Sequence, residues 1–321
     1  MTPSQTKHLL LLDTDPGIDD AMAIHYCFAH PAIRLLGLTT IFGNVYTKQA
    51  TRNALFLCEQ AHATIPVSQG ADKPLAIPPN PPAHFVHGDE GLGDLPAQPT
   101  KTKPAPTPAH KMLADTIRTH PNAITLAAIG PLTNIARLIA HDPTIPALTK
   151  KLVIMGGAVD CPGNVTPHAE ANIWNDPHAA DQVFAADWAI DMIGLDITSG
   201  VECQPSLFAS IKDGAPEIGG FLKDIAEFYI RFYSGVIGRN VCLLHDPTAM
   251  ITLTQPDAFG FEEIPLRVIC DGDEIGATRR DTSGKRRPVR VAKKVDAEAV
   301  RNNFVDICRK ADTMRDERNA C

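Results

Sequence analysis

The chain has 321 residues, of which 44% are hydrophobic, and a formal net charge of -7. This length suits one large α/β domain, although it would equally permit two. The acidic balance gives no basic footprint for nucleic acid, because the clusters Arg279-Arg280 and Lys285-Arg286-Arg287 are short and local. No apolar run approaches the ~20 residues that span a bilayer, and the first residues lack the order of a signal peptide. We therefore expect a cytoplasmic protein that has neither nucleic acid nor membrane as a partner.

The 8 cysteines are scattered singly along the chain, from Cys27 to Cys321, without a CxxC pair or a zinc-like spacing. We interpret them as reduced thiols. Cys27 and Cys58 lie in apolar helical patterns, where cysteine packs as a small hydrophobic residue.

Apolar strand patterns alternate with helical patterns over most of the chain. The predicted strands are 8–13, 35–41, 124–129, 151–155 and 189–195, and the predicted helices are 21–28, 48–60, 132–139 and 176–186. This alternation predicts an α/β fold with an open, mainly parallel sheet flanked by helices. Ligands of such sheets bind beyond the carboxyl ends of the strands, so we expect an active site at that edge.

Helical patterns dominate after Pro205, the clearest at 221–233, before a strand-like segment at 265–271 and a closing helix at 296–310. No linker announces a second domain, so we predict one domain over 1–321 with a helical cap region at about 205–255. Two proline-rich stretches, 73–82 and 96–108, are not expected to form regular elements. The glycine-rich segment 84–94 between them is either a mobile flap over a site or a surface loop without a role.

Four carboxylates, Asp13, Asp15, Asp19 and Asp20, lie within eight residues where the first predicted strand ends and a helix begins. Like charges this close repel, and a helix N-terminus offsets only ~0.3–1 kcal/mol for each carboxylate. A bound divalent cation explains the cluster, and oxygen ligands without nearby Cys or His favour Ca²⁺ or Mg²⁺ over zinc. Taken one at a time, the same aspartates are ordinary helix-cap and turn residues.

A series of motifs follows this cluster in order over nearly the whole chain. The cluster itself reads DTDPGIDDA at 13–21, and the later motifs are GN at 43–44, VHG at 86–88, GPLTNIA at 130–136, MGG at 155–157, GNVTPHAEANIWNDPHAA at 163–180 and HDP at 245–247. In this series the chain resembles the inosine-uridine preferring nucleoside hydrolases, whose N-terminal fingerprint is DxDPGxDDA. The resemblance implies Ca²⁺-dependent hydrolysis of the N-glycosidic bond of purine or pyrimidine ribonucleosides to free base and ribose, by a homodimer or homotetramer.

The resemblance also implies roles for individual residues. The Ca²⁺ ion would be held by Asp15, Asp20, the carbonyl of Thr133 and Asp246, with Asp15 as the general base. The residues expected to contact the nucleoside are Asp19, Asn44, His87, Met155, Asn164, Glu170, Asn172, Tyr229, Tyr233 and Asp246. Acceptors and amides suit a polyol, so deoxyribonucleosides are expected to be poor substrates.

Protonation of the departing base is assigned to His245, which lies next to Asp246 and can donate a proton near neutral pH. Tyr229 and Tyr233, which share one face of a helix, and His87 in the segment 84–94 are the alternative donors. The chain departs from the family at Ala171, where many relatives read AEFNI. This departure predicts the loss of an aromatic wall beside the base and leaves the base preference open.

Two other functions compete with this interpretation. A haloacid dehalogenase-type Mg²⁺ phosphatase also begins with DxD after its first strand, but that family expects Thr or Val where this chain has Gly17. A non-catalytic nucleoside-binding protein on the same scaffold would need an export signal and would not need the base Asp15. Both alternatives are therefore less consistent with the sequence than a hydrolase.

Overall fold

The computed structural model describes residues 8–319, with Asn319 described by its backbone alone. The strands are β1 His8–Thr14, β2 Ile33–Thr40, β3 Val67–Gln69, β4 Ile124–Ala128, β5 Lys151–Met155, β6 Ile190–Ile193, β7 Glu202–Cys203, β8 Cys242–Leu243, β9 Phe259–Val268, β10 Thr278–Arg280 and β11 Pro288–Val295. The helices are α1 Ile18–Ala29, α2 Thr47–Gln60, α3 His84–His87, α4 Ala109–Thr119, α5 Thr133–His141, α6 Ile145–Leu148, α7 Ala171–Asn175, α8 Pro177–Ala185, α9 Leu195–Thr198, α10 Pro205–Gly214, α11 Ile218–Ile237, α12 His245–Ile251, α13 Ala297–Cys308 and α14 Ala311–Asn319. A 3₁₀ turn, Pro256–Ala258, precedes β9.

Nine of these strands form one sheet in the order β10-β9-β11-β6-β5-β4-β1-β2-β3. Strand β1 pairs in parallel with β2 on one side and with β4 on the other. The chain therefore builds outwards from β1 in one direction, through β2 and β3, and then returns to the other side of β1 with β4. This reversal is a topological switch point, where α/β sheets open a crevice at the carboxyl ends of the strands.

Helices cover both faces of the sheet because side chains alternate between the faces along each strand. Leu10 and Leu12 of β1 join the core that contains α1, α11, α12 and α13, whereas Leu11 joins the core that contains α4, α5 and α8. All three leucines are fully buried, and full burial of a leucine contributes about 1.5–3 kcal/mol. The fold confirms the predicted open, mainly parallel sheet flanked by helices.

Helix α1 lies in the interior, with every residue from Ile18 to Ala29 buried. It begins earlier than the sequence predicts, because Asp20 Oδ2 accepts a hydrogen bond from Gly17 N at 3.0 Å and closes the first turn. Asp19 and Asp20 therefore lie inside the first turn rather than before it. The helix and the strand β1 together hold the acidic segment at the switch point.

The predicted elements differ from the structure mainly in the last third of the chain. The strand-like segment 265–271 overlaps the end of β9, which runs from Phe259 to Val268, and residues 269–271 lie in the loop that follows. The predicted closing helix corresponds to α13, and a further helix, α14, follows it. Strand β11 is missing from the prediction, because its sequence PVRVAKKV mixes charged residues into the alternation. The region 205–255 contains α10, α11 and α12 together with the short strand β8.

The other expectations concern loops, cysteines and membranes. Both proline-rich stretches are irregular, apart from one bridge between Ala105 and Ser68. The cysteines of residues 8–319 have free thiols, and Cys321 lies outside the described residues. None of the helices within the same residues combines the length and the apolar character of a membrane span.

Candidate active site

Asp15 is the first residue after β1, and its carboxylate lies against the loops that follow β2 and β4. Asp15 is fully buried, and its Oδ2 accepts a hydrogen bond from Asn44 N at 2.7 Å. Glycines make room for this carboxylate, since a Cβ on Gly130 would lie 2.5 Å from Asp15 Oδ1 and one on Gly43 would lie 2.0 Å from Asp15 Oδ2. Gly43 also has φ +154°, a conformation that other residues rarely adopt. The glycines of GN and GPLTNIA thus shape the pocket of Asp15.

Three further carboxylates converge beside this loop. Ligand oxygens of Asp19, Asp20 and Asp246 lie within 4.8 Å of one another, and all three residues are buried. Asp246 reaches the group from the first turn of α12, directly after β8. Of the carboxylates predicted to bind the ion, Asp20 and Asp246 belong to this triad, whereas Asp15 lies outside it. The sequence assigned Asp19 to ribose alone, and the structure brings it into the acidic triad.

Among the described residues, no lysine or arginine forms an ion pair with these carboxylates. Within residues 8–319, the ion pair found for these groups is a 4.0 Å approach of His87 Nδ1 to Asp19 Oδ1. Burial, together with the charge of Asp20, raises the pKa of Asp19 to about 8, and burial followed by the charges of Asp19 and Asp20 raises that of Asp246 well above its ordinary value. Burial and the charge of Asp20 likewise raise the pKa of Asp15.

A divalent cation fits this donor set. The triad offers carboxylate oxygens only, which suits a hard cation such as Ca²⁺ or Mg²⁺. Asp15 Oδ1 is buried and has no hydrogen-bond partner among the described residues. A buried acceptor without a partner next to three crowded carboxylates is the arrangement expected of a cation-binding site.

The carboxylate of Asp20 accepts four hydrogen bonds. Its Oδ1 accepts from Thr14 Oγ1 at 2.5 Å and from Asp15 N at 3.2 Å. Its Oδ2 accepts from Gly17 N at 3.0 Å and from Asn44 Nδ2 at 2.9 Å. Asn44 therefore bonds to Asp15 through its backbone N–H and to Asp20 through its side-chain amide. The amide group Nδ2 is thus less free for ribose than the sequence predicts.

Asp13 does not join the other three aspartates of the fingerprint. Its side chain accepts hydrogen bonds from Thr39 Oγ1 and from Asn134 Nδ2, so it ties β1 to β2 and to α5. Burial raises its pKa to about 7. The structure thus gives this aspartate a place in the frame of the site rather than at its surface.

Thr133 is the first residue of α5 and is fully buried. Its Oγ1 donates to Asp176 Oδ2 at 2.6 Å, and the same oxygen of Asp176 accepts from Leu75 N at 2.8 Å. Asp176 also caps α8 by accepting from Ala179 N. Asp176 was not predicted as a site residue, although its position before Pro177 in NDPHAA is typical of a helix cap.

Glu170, Asn172 and Met155, three of the residues predicted to contact the nucleoside, lie together at the carboxyl end of β5. Glu170 is buried and accepts hydrogen bonds from Gly157 N, Asn172 N and Ile173 N at 2.9–3.1 Å. Asn172 Nδ2 donates to the carbonyls of Ile129 and Met155. Neither of these two bonds uses Asn172 Oδ1. Met155 ends β5, and its sulfur lies 3.5 Å from Asn172 Nδ2.

Asn164 is the exception among these residues. Its side chain is exposed, and its Oδ1 accepts from Ala171 N at 3.0 Å. It therefore lies close to Glu170 and Asn172 in the fold, because it bonds to the residue between them, but it is not enclosed with them. The partly exposed Ala171 leaves no aromatic ring at this position.

His87 enters the site from the segment 84–94, which we call the flap. His87 is buried, its Nδ1 accepts from Ile18 N at 3.1 Å, and its ring lies 5.7 Å from that of Tyr229. Because Nδ1 accepts from a backbone N–H, the ring proton must lie on Nε2. Burial lowers the pKa of His87 to about 3, so the imidazole is neutral at pH 7.

A chain of polar groups connects the predicted proton donors. His245 Nδ1 lies 2.8 Å from Thr198 Oγ1, and His245 Nε2 lies 2.7 Å from Tyr233 OH. Tyr233 OH lies 3.4 Å from Tyr229 OH, and Tyr229 is close enough to Asp19 to lower the pKa of that carboxyl. The structure thus brings His245, both tyrosines and the acidic triad together, and it adds Thr198, for which the sequence carried no signal.

The charge state of His245 differs from the one that the sequence suggests. Burial lowers the pKa of His245 to about 4. The free side chain is therefore a neutral imidazole at pH 7, and it can offer an N–H rather than an imidazolium proton.

Comparisons with known proteins agree with this geometry. The family model described as inosine-uridine preferring nucleoside hydrolase matches residues 10–302. Uridine nucleosidase 1 of Arabidopsis thaliana is 38% identical over 302 residues, which cover 91% of this chain and 90% of that protein. A non-specific ribonucleoside hydrolase of Escherichia fergusonii is 36% identical over 306 residues, which cover 94% and 98%.

The solved structures show the same relationship. The purine-preferring ribonucleoside hydrolase from Gardnerella vaginalis aligns with a TM-score of 0.91 and 30% identity, covering 95% of this chain and 99% of that one. The family match spans the fingerprint, the loop after β4 and the HDP turn, which together form the acidic site described above. The chain therefore belongs to the inosine-uridine preferring nucleoside hydrolase family and is a hydrolase that acts on N-glycosyl compounds.

Proposed function

We propose that this enzyme hydrolyses the N-glycosidic bond of ribonucleosides in a Ca²⁺-dependent reaction in which Asp15 is the general base. The observation that carries the proposal is the orphaned Asp15 Oδ1, buried at the switch point beside the triad of Asp19, Asp20 and Asp246. Family membership makes a phosphatase or a binding protein without activity a weaker explanation of these residues.

The ion would be held by Asp15, Asp20, the carbonyl of Thr133 and Asp246. Asp19 could also contribute a ligand, because its carboxylate lies close to those of Asp20 and Asp246. Ca²⁺ accepts six to eight oxygen ligands, so this set leaves room for water and ribose hydroxyls. When bound, the ion supplies Lewis acidity that activates the attacking water.

The residues of the chain supply the remaining steps. Asp15 accepts the proton of the attacking water, and its Oδ1, which has no hydrogen-bond partner among the described residues, leaves an acceptor free for this role. The sugar becomes oxocarbenium-like as the base departs, and the surrounding carboxylates favour that positive charge. No covalent intermediate with the enzyme is required.

The ribose would lie between the triad and the group formed by Glu170, Asn172 and Asn164, whose side chains offer acceptors and amides. Glu170 keeps its orientation through three backbone N–H groups. Such preorganisation lets a site distinguish hydroxyl groups without rearrangement during the reaction.

His245 and Tyr233 form the proposed donor to the departing base. Both residues are buried, and their 2.7 Å contact lets the O–H or N–H proton move between them. His87, as a neutral ring with its proton on Nε2, is suited to holding the base by a hydrogen bond rather than to protonating it.

The test is release of free ribose from a panel of ribonucleosides, with and without a chelator. The panel must contain both purines and pyrimidines, because the relatives named above are described as acting on uridine, as non-specific and as purine-preferring. Activity that is lost in chelator and restored by Ca²⁺ supports the proposal, whereas full activity of the metal-stripped enzyme would refute it. Size-exclusion chromatography with light scattering tests the expected homodimer or homotetramer.

A further inference from the structure

The flap is a preformed turn that holds its own shape. Three of its glycines have positive φ, at +79° for Gly88, +85° for Gly91 and +68° for Gly93. Backbone hydrogen bonds close it, from Gly88 N to His84 O and from Gly93 N to His87 O. The shape of the flap is therefore fixed locally, and its position over the site depends on the contacts that it makes with other segments.

The buried anchor of the flap is Asn53, a fully buried residue of α2. Asn53 Nδ2 donates to Glu90 O in the flap at 2.8 Å and to Pro16 O in the fingerprint loop at 3.0 Å. Its Oδ1 accepts from the guanidinium of Arg52 at 3.1–3.3 Å. One amide thus joins the flap to the loop that carries Asp15, and both of its polar atoms are bonded.

Apart from the buried bond between Ile18 N and His87 Nδ1, the other polar side-chain contacts of the flap are more exposed. Arg52 pairs with Glu90 at 2.7 Å with side chains 25% and 33% exposed, and Gln49 Nε2 reaches Glu90 Oε2 at 3.1 Å. Arg231 pairs with Asp94 where both side chains are more than half exposed. Exposed ion pairs contribute little to stability, so these contacts cannot replace the buried amide.

Asn53 acts on both partners of the hydrogen bond that orients His87. That bond runs from Ile18 N to His87 Nδ1 and joins the start of α1 to the flap. Asn53 holds the α1 side through Pro16 O and the flap side through Glu90 O. The fit at this junction is close, since a Cβ on Gly17 would lie 2.5 Å from His87 Nδ1.

We propose that Asn53 is a positioning residue for the reaction: by bridging Glu90 O and Pro16 O it fixes the flap so that His87 stays bonded to Ile18 N with its proton on Nε2. This inference rests on the proposed function, because it assigns His87 to the nucleoside. It adds a role for a residue of α2, which acts on His87 through the carbonyls of Glu90 and Pro16.

A double-mutant cycle tests the inference. The wild type, Asn53→Leu, His87→Ala and the double variant are compared by kcat/KM for a ribonucleoside that the wild type cleaves. Leucine keeps the branched shape of asparagine and removes both donated hydrogen bonds. Asn53→Leu is expected to lower kcat/KM by about 10²-fold, the usual cost of a small displacement of a positioned group. The double variant should then be no slower than the slower single variant, because contacts that act through one another are not additive.

Two controls keep the result interpretable. Gln49→Ala removes an exposed flap contact on the same helix and should change kcat/KM by less than about 2-fold. Gly91→Ala perturbs the junction from the flap side, because its Cβ would lie 2.7 Å from Val45 Cγ1 and 2.9 Å from Asn53 Nδ2. It should reproduce the Asn53→Leu effect and its non-additivity with His87→Ala even if Asn53→Leu folds poorly.

The outcomes separate the inference from the proposed function. A wild-type enzyme that releases no ribose contradicts the proposed function. An active wild type in which the effects of Asn53→Leu and His87→Ala multiply contradicts the inference, and so does a fall in the affinity of Asn53→Leu for Tb³⁺, measured by luminescence. Unchanged Tb³⁺ affinity is expected, because Asp20 is held by Thr14, Gly17 and Asn44 without Asn53.

Discussion

Binding of Ca²⁺ to the acidic triad is expected to release protons at pH 7. The oxygens of Asp19, Asp20 and Asp246 lie within 4.8 Å of one another. At that distance two unit charges repel by about 3.5 kcal/mol at an effective dielectric constant of about 20. Three pairs would cost about 10 kcal/mol, which is comparable to the whole free energy of unfolding of a typical domain. The metal-free protein therefore keeps at least one of these carboxyls protonated.

The sign of the effect follows from the raised pKa values. In the metal-free protein, the native state binds more protons than the unfolded chain between the ordinary carboxyl range and about pH 8, where Asp19 titrates. Its stability should thus fall as the pH rises through this window. A bound cation needs ionised ligands, so Ca²⁺ affinity should rise with pH over the same window and the stability of the loaded protein should not fall.

Isothermal titration calorimetry in Pipes, Hepes and Tris, which differ in ionisation enthalpy, measures the number of protons released. We expect on the order of one proton for each Ca²⁺ bound at pH 7. Asp246→Asn should weaken Ca²⁺ binding and reduce the release. The control is Asp191→Asn, at a buried carboxylate near the amino end of β6 that pairs with Lys151 and Arg290. This substitution should leave Ca²⁺ binding and proton release unchanged. A Ca²⁺ affinity independent of pH, with no proton release, would show that the triad is not the binding site.

Four further predictions concern turnover. Asp15→Asn should keep the thermal melting temperature near that of the wild type but lose ~10²–10⁴-fold in kcat, the usual contribution of a general base; a near-normal rate would reject this assignment. His245→Ala should slow natural nucleosides by ~10²–10⁴-fold while sparing p-nitrophenyl riboside, whose phenolate departs unaided; equal slowing of both would make His245 structural. Gly130→Ala, whose Cβ would lie 2.5 Å from Asp15 Oδ1, should lower kcat by about 10²-fold, whereas Gly235→Ala, which meets nothing within 4 Å, should not; similar rates for the two would contradict the steric argument. A 2′-deoxyribonucleoside should be cleaved about 10⁴-fold less efficiently than its ribonucleoside, and comparable kcat/KM values would mean that the site does not bind that hydroxyl.

The parallel sheet and its reactive edge could be predicted because the signal is local. The strands around β1, β4 and β5 are continuous apolar runs, and each is followed by a polar motif that the chain places at the same edge. The antiparallel end of the sheet, which β10, β9 and β11 form, could be predicted only in part. The strand-like segment 265–271 overlaps β9, whereas β10 has only three residues and β11 carries charged residues such as Lys293 and Lys294 in its alternation.

Within the site, residue types could be predicted but not their partners. The crowding of aspartates in DTDPGIDDA indicated a cation, yet Asp13 turns to Thr39 and Asn134, and Asp19 joins Asp20 and Asp246. The alternation of a strand explains the division at its end. Leu12 faces one core and Leu11 the other, so Asp13 and Thr14 also leave β1 on opposite faces. Which face meets α12 depends on contacts far along the chain.

The same limit explains why Thr198, Asp176 and Asn53 carried no functional signal in the sequence. Each lies far along the chain from the group that it holds, and each acts through one or two hydrogen bonds: Thr198 to His245, Asp176 to Thr133, and Asn53 to the carbonyls of Pro16 and Glu90. All three are fully buried, and a buried polar side chain must bond to something or cost free energy. In this fold those bonds end on the groups that carry the chemistry, so the polar residues buried behind the site are the ones that fix its geometry.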